Sequence, residues 1–380
     1  MNVVLLWAAL ALLAYTYLGY PLAVWAWSRV RPRPVRRAPI EPSVSVLLVA
    51  HDEEGQIADR IRNLLDLDYP RERLEVLVAS DGSTDATLER ALAAAPDGVR
   101  VLDLRERRGK PRALNALAGR ATGEVLVFTD ARQRFERGTL RALVAGFADP
   151  DVGGVGGELL LVANPDRGGV GEAVGLYWRY EKWIRRAESG VHSTVGATGA
   201  VYAVRRRLFQ PLPEDTVLDD VLVPMRVVAQ GHRVVFEGGA RAYDRAPANA
   251  SQEFARKART LAGVFQLLAR HRWLLDPRRN PLFVQTLSHK GLRLLTPLAL
   301  ALALAANLAL LPSAFYRVGL AAQLAFYAAA LGGYLGRDRR RSPLMALPYL
   351  VCVLAGATVV GFLRFARGGQ SVTWERASAR

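Results

Sequence analysis

A single cysteine, Cys352, in 380 residues excludes a disulfide framework and any multi-cysteine zinc site. Lysine is scarce as well. Four of the 51 basic residues are lysines (Lys110, Lys182, Lys257 and Lys290), so the positive charge is almost all arginine. The five histidines are scattered, and no pair has the spacing of a metal-binding helix. Acidic residues number only 35, leaving a formal charge of +16 that calls for anionic partners such as phosphates, lipid headgroups or nucleic acid. Few aromatics are interleaved with the arginines of the central segment, which argues against nucleic acid. With 51% hydrophobic and 23% charged residues the chain is neither disordered nor fibrous. Its length suggests two or three structural units.

Long uncharged runs are abundant. Residues 1–28 carry no charge and are followed by Arg29, Arg31, Arg33, Arg36 and Arg37. About 20 apolar residues span a bilayer as a helix, so the run predicts a transmembrane helix. A positive n-region and a small-residue cleavage site, the marks of a signal peptide, are missing. Residues 294–316, 318–336 and 342–363 are three more uncharged stretches. The arginines after the first run, and Arg337, Arg339, Arg340 and Arg341 between the last two stretches, predict cytoplasmic segments. Four full spans would then place the basic tail outside, against the same rule, unless one stretch is re-entrant or interfacial. The Phe/Leu and Lys/Arg mixture at 280–293 predicts an amphipathic helix along the headgroups. The expected organisation is a transmembrane helix at 1–28, an Arg/Pro linker at 29–42 and a soluble domain at 43–270. The interfacial helix at 280–293, a membrane region at 294–366 and a basic tail at 367–380 complete it.

In the soluble part, short apolar runs at Val44–Ala50, 74–79, 99–102 and 124–129 alternate with amphipathic stretches at 54–67, 84–95, 111–119 and 138–147. Such alternation predicts an α/β doubly wound sheet that binds ligands at its strand ends. Asp52, Asp81 and Asp130 each follow a strand, and so should converge on one crevice. An isolated Asp there is ordinarily a turn former or helix cap; recurrence at one edge is what favours a site. Gly153-Gly154-Val155-Gly156-Gly157 lacks a following helix and reads as a strand entry rather than a phosphate loop. The run from Gly196 to Arg205 reads as a glycine loop entering a strand, open to a ligand's approach. Asp219 and Asp220 open an apolar-periodic helix; they either cap it or present a general base.

With these residues in place, the chain resembles membrane-bound family 2 glycosyltransferases, the group of cellulose, chitin, hyaluronan and poly-N-acetylglucosamine synthases. The resemblance runs over roughly residues 42–263, with the flanking helices and the tail segment from Gln370 to Glu375. The run Val49-Ala50-His51-Asp52-Glu53-Glu54 matches the first-strand motif, and Asp81-Gly82-Ser83-Thr84-Asp85 the second. Gly109-Lys110 with Asn115, Phe128-Thr129-Asp130-Ala131-Arg132 at the Asp-x-Asp position, and Leu218-Asp219-Asp220 at the Thr-Glu-Asp position follow in order. The resemblance implies a GT-A type Rossmann-like nucleotide-sugar-binding domain flanked by transmembrane helices. It implies donor contacts from His51, Glu53, Asp81, Lys110, Asp130 and Arg259, and acceptor-side contacts from Gly199, Tyr202 and Arg205. Asp220 would be the catalytic base with Asp219 beside it, and Asp130 would hold Mg2+ or Mn2+.

Three departures matter. Arg132 replaces the second carboxylate of Asp-x-Asp, His51 replaces a Tyr, and Thr260 replaces the Trp of the Gln-x-x-Arg-Trp segment that lines a polymer channel. The expected activity is therefore inverting transfer of a sugar from a nucleotide-diphosphate donor, a UDP-sugar, to a lipid-linked or growing glycan acceptor. Processive exopolysaccharide synthesis is the alternative, and a degenerate non-catalytic subunit, favoured by Arg132, is a second. The expected partners are the nucleotide sugar, the acceptor and membrane lipids, with no nucleic acid. The expected location is a bacterial-type inner membrane, with the catalytic domain cytoplasmic.

Overall fold

The computed structural model describes residues 1–162, 170–245, 250–336, 343–368 and 370–373. Eight strands form one sheet: β1 (Val44–Ala50), β2 (Leu74–Ser80), β3 (Val99–Asp103), β4 (Val125–Asp130), β5 (Arg134–Phe135), β6 (Val152–Val162), β7 (Tyr202–Arg205) and β8 (Arg233–Arg245), in the order β3-β2-β1-β4-β7-β6-β8-β5. The first four are parallel; β7 runs antiparallel to β4 and β6, β8 parallel to β6, and β5 antiparallel to β8. The result is a mixed GT-A type sheet rather than a wholly parallel one.

All seven residues of β1 are buried, as a central strand covered on both faces requires. Side chains alternate between the two layers. Val46 and Leu48 pack with Ile57, Ile61 and Leu64 of the helix after β1, whereas Leu47 and Val49 pack with Leu114 and Leu117 of the helix after β3 and Leu222 of the helix after β7. These helices and the rest of the domain's are α2 (Ile57–Leu65), α3 (Thr87–Ala93), α4 (Lys110–Ala118), α5 (Thr139–Ala145), α6 (Val170–Val191), α7 (Asp219–Ala229) and α8 (Ala250–Arg270). The helix expected from residue 54 starts at Ile57 instead. Asp52 takes a left-handed turn at φ 51, and the amide of Glu53 donates to Thr87 Oγ1 at 2.7 Å. The glycine run at 153–157 lies inside β6, buried among its neighbours.

Among the described residues, four helices are long and apolar enough to cross a membrane: α1 (Asn2–Val30), α9 (Phe283–Ala309), α10 (Ala314–Leu335) and α11 (Pro343–Ala366). Small side chains bring α1 and α9 together, with Leu6 and Ala9 against Ala299, Ala303 and Ala306. The expected headgroup helix at 280–293 is not a separate element. From Phe283 the chain is helical through to Ala309, and its polar residues turn inward: His289 is 1% exposed. The arginines at 337–341, and Trp374 and Glu375 of the tail, lie outside the described residues.

Candidate active site

The site is assembled at the carboxyl ends of β2, β1 and β4, where parallel strands leave a crevice. Asp81, immediately after β2, is buried, and both its carboxylate oxygens are used. They accept the amides of Arg108 at 3.0 Å and Gly109 at 2.8 Å. This fixes the loop that enters α4. Gly82 has φ +60, and a Cβ there would come within 2.3 Å of the Arg107 amide nitrogen, so only glycine allows the loop this approach.

The first residue of α4, Lys110, is thereby delivered between two acidic groups: its Nζ lies 2.8 Å from Asp130 Oδ1 at the end of β4 and 3.4 Å from Asp219 Oδ2. Burial disfavours the ammonium charge, yet Asp130 and Asp219 outweigh it and hold the pKa above the ordinary lysine value. Tyr202, stacked on Phe128 at 4.5 Å between ring centroids, donates its hydroxyl to Asp219 at 3.2 Å. Burial, and then the neighbouring carboxylates, raise the pKa of that phenol. It stays a donor.

Asp220 begins α7 and is clasped by the glycine loop before β7. The amide of Gly199 donates to its Oδ2 at 3.1 Å, and the amide of Ala197 to its carbonyl at 2.7 Å. A helix N-terminus favours a carboxylate, but burial and the adjacent Asp219 prevail and push the pKa up to about 6. Lys110, Lys290 and Arg185 oppose that rise. Asp220 keeps partial exposure to the crevice. Arg259 of α8 closes the far side: burial lowers its pKa while Asp219, Asp130 and Asp220 pull it back up, which places all three carboxylates within its field. Its Nη2 reaches the Val372 carbonyl at 3.4 Å, and Val372 packs on Gly109, so the tail lies over the crevice.

Not every expected residue arrives here. Arg205 sits opposite Val125, at the other end of β4 from Asp130, and its guanidinium binds the carbonyls of Val152, Phe147 and Asp149. The acceptor-side expectation for Arg205 is therefore corrected: it ties strand ends together. Asp52 accepts the Thr84 amide at 2.7 Å. His51 is buried beside it, with Nδ1 2.8 Å from the Asp81 carbonyl oxygen. Glu53 follows on the same turn and accepts from Gln56 at 3.3 Å. Arg132 is exposed. The motif reading missed Arg60, whose buried guanidinium lies 4.3 Å from the Phe135 ring centroid and donates to Thr129, the neighbour of Asp130, at 2.6 Å. Its signal was an arginine inside the apolar stripe Ile57, Ile61, Leu64.

No group of three or more His, Cys, Asp or Glu side chains among the described residues is arranged to hold a metal ion. Asp130, at the end of β4, has Lys110 already beside it. A divalent ion of the Mg2+ type needs only one or two carboxylates when substrate phosphates supply further oxygens, so Asp130 fits a metal that arrives with a diphosphate and does not build one a cage.

Residues 45–209 match the family model described as glycosyl transferase family 2. A mannosyltransferase of Pyrobaculum calidifontis, PcManGT, solved in complex with GDP-Man and Mn2+, is similar over 95% of this chain and 99% of its own, at 26% identity and TM-score 0.71. The beta-monoglucosyldiacylglycerol synthase of Nostoc sp. is 35% identical over 30% of this chain and 25% of its own length. A poly-beta-1,6-N-acetyl-D-glucosamine synthase of Staphylococcus aureus is 23% identical over 63% of this chain and 59% of its own. The chain spans about half the length of the curated relatives it matches.

Proposed function

We propose that this chain, whose residues 45–209 match the glycosyl transferase family 2 model, carries out inverting transfer of a sugar from a nucleotide-diphosphate donor to a lipid-linked or growing glycan acceptor, with Asp220 as the general base. The observation that carries this reading is the raised Asp220 carboxyl, held by Gly199 beside the Lys110–Asp130–Asp219 cluster. A sugar hydroxyl is a weak nucleophile, and a base with a pKa near 6 is both ionised at neutral pH and strong enough to take its proton. Asp219 stays tied to Tyr202 and Lys110, which leaves Asp220 as the carboxylate free to face an acceptor.

The leaving diphosphate accumulates charge. Lys110 and Arg259 are the cations that face it, and the loop into α4, held to Asp81 through the amides of Arg108 and Gly109, presents the nucleotide side. A divalent ion held by Asp130 and the diphosphate oxygens would supply further charge neutralisation there. UDP-sugars are the donor class expected from the sequence; the near full-length similarity to a transferase solved with GDP-Man puts GDP-mannose beside them. A single or short transfer is the reading for the acceptor side. At the position of the channel-mouth Trp, Thr260 is exposed and hydrogen-bonds back to the Arg256 carbonyl at 3.0 Å.

The test is transfer by the full chain in nanodiscs, with radiolabelled UDP-sugars and GDP-mannose, with Mg2+, Mn2+ or EDTA, and with a bacterial lipid extract. Label from one donor entering the lipid phase is the expected result. High-molecular-weight label would establish polymer synthesis instead, and no transfer from any donor would overturn the reading.

A further inference from the structure

Arg60 is a buried cation whose hydrogen-bond partners among the described residues are neutral. It is 2% exposed on α2 and keeps its charge. Its Nη2 donates to Thr129 Oγ1 at 2.6 Å, its Nη1 donates to Asn63 Oδ1, and its guanidinium carbon lies 4.3 Å from the Phe135 ring centroid. Nε is buried without a hydrogen-bond partner. Asn63 also brackets Phe135, accepting its amide at 2.8 Å and donating to its carbonyl at 3.0 Å. The guanidinium therefore has a built seat. Stability does not require it there: a hydrocarbon side chain would extend the stripe of Ile57, Ile61 and Leu64 and leave no charge to desolvate.

What the guanidinium adds is control of one hydroxyl. Thr129 is fully buried, and its hydroxyl has a single proton. With Arg60 donating to the oxygen, that proton goes to the Ala200 carbonyl, 2.9 Å away. An active-site carboxylate hangs on each end of this relay. Asp130 follows Thr129, and its side chain leaves β4 on the opposite face, where Lys110 meets it at 2.8 Å. Gly199 precedes Ala200, and its amide donates to Asp220 at 3.1 Å. The bond from Thr129 to Ala200 thus joins the end of β4 to the loop that clasps the base.

We propose that Arg60 is a positioning residue for sugar transfer: acting through Thr129 from the face of the sheet opposite the crevice, it sets the spacing between Asp130 and Asp220. The inference rests on the transferase reading above and adds a residue that touches neither donor nor acceptor. A misplacement of about 1 Å between reacting groups can cost about 10²-fold in rate, so a rigid tie between the two carboxylates has a direct catalytic consequence.

The test compares the wild-type full chain in nanodiscs with Arg60→Met, Thr129→Val and the double variant. Three quantities are read: kcat per folded protein at saturating donor, the Kd of Mn2+ in the presence of UDP or GDP by electron paramagnetic resonance, and the thermal midpoint. Arg60→Met should lower kcat and weaken Mn2+ binding, each by about 10- to 100-fold, as the loss of a partner behind a metal ligand does, without lowering the midpoint. Thr129→Val should lower kcat and Mn2+ affinity to the same extent. The double variant should lose less than about threefold more, because the two side chains act in series. Ile61→Val, a loss of packing on the same helix, should lower the midpoint and leave kcat and Mn2+ binding as they are. An unchanged kcat in Arg60→Met, whatever its midpoint, makes the residue structural and overturns the proposal. So does an unchanged Mn2+ affinity, or a double variant whose losses multiply. If the wild-type chain binds no Mn2+, the kcat losses and whether they multiply decide. A wild-type chain that transfers no sugar, yet loses Mn2+ affinity in both single variants, would count against the transferase reading alone.

Discussion

Asp220 is the residue on which most turns. In the fold its carboxyl holds its proton up to about 6, above the ordinary value of 3.8, because burial and Asp219 outweigh Lys110, Lys290 and Arg185. Transfer should therefore rise with pH through about 6, measured as kcat/KM against pH in nanodiscs. Asp220→Asn should lower transfer about 10²- to 10⁴-fold, the usual worth of a positioned base, with nucleotide Kd unchanged by calorimetry. The same shift acts on stability with the opposite sign. A carboxyl whose pKa is raised by folding stabilises the fold below its unfolded value, and that contribution is lost as pH rises through about 6. Asp220→Asn should accordingly raise the thermal transition at pH 8 and leave it nearly unchanged at pH 4. Lys110→Gln removes a charge that holds the carboxyl down, so it should move the pH profile upward as well as weaken nucleotide binding; a profile that stays in place would detach Lys110 from the base. The sequence made the candidates legible through spacing: Asp81, Lys110, Asp130, Asp219 and Asp220 each sit at a strand or helix terminus, and termini of a parallel sheet share one edge. Arg205 was misplaced because β7 runs antiparallel to β4, so its far residue points away from that edge. Strand direction in the second half of the sheet is set by long-range pairing that no local pattern records.

Among the elements, the head of α9 was the hardest to foresee. Its mixture of Phe, Leu, Lys and His has the composition of a headgroup helix, yet His289 and Arg293 are claimed by Glu181 and Glu188 of α6. Pairing between segments more than a hundred residues apart leaves no periodic trace. The network fastens α9 to α6, and Tyr20 fastens α1 to the same carboxylate. His289→Ala would strip both buried carboxylates of a partner, a loss worth about 3–5 kcal/mol for a buried pair. The expected outcome is a fall of several degrees in the thermal inactivation midpoint in detergent; Trp183→Phe, on the same helix but outside the network, serves as the reference. An unchanged midpoint would mean that packing of α1 against α9, not this network, holds the helices in place.

At the scale of the molecule, the tail decides how many helices cross the bilayer. Val372 touches Gly109 and Arg259, so residue 372, beyond α11, is on the side of the catalytic domain. Three apolar helices separate α8 from that tail, and a chain that returns to its starting side has crossed an even number of times. The helix predicted not to complete a crossing is α11. It lies along α8, with Gly356 near Phe254, Gly361 against Ala258 and Ala262, and Phe365 6.0 Å from Phe265 between ring centroids. Lying there, it can turn Val359, Phe362 and Leu363, all exposed, to the lipid without leaving the domain's side. Two crossings by α9 and α10, after the one by α1, would bring the arginine-rich sequence segments at 29–37, 337–341 and the C-terminal tail to one face. All three arginine-rich segments would then satisfy the positive-inside rule together, which four complete crossings cannot achieve. The lone cysteine makes this measurable: in a Cys352→Ser background, Arg37→Cys, Arg340→Cys and Ser371→Cys should be labelled by an impermeant thiol reagent from one side of the membrane. Ser313→Cys, between α9 and α10, should be labelled from the other side only. Labelling of Arg340→Cys together with Ser313→Cys would instead make α10 the helix that fails to cross and α11 a full span.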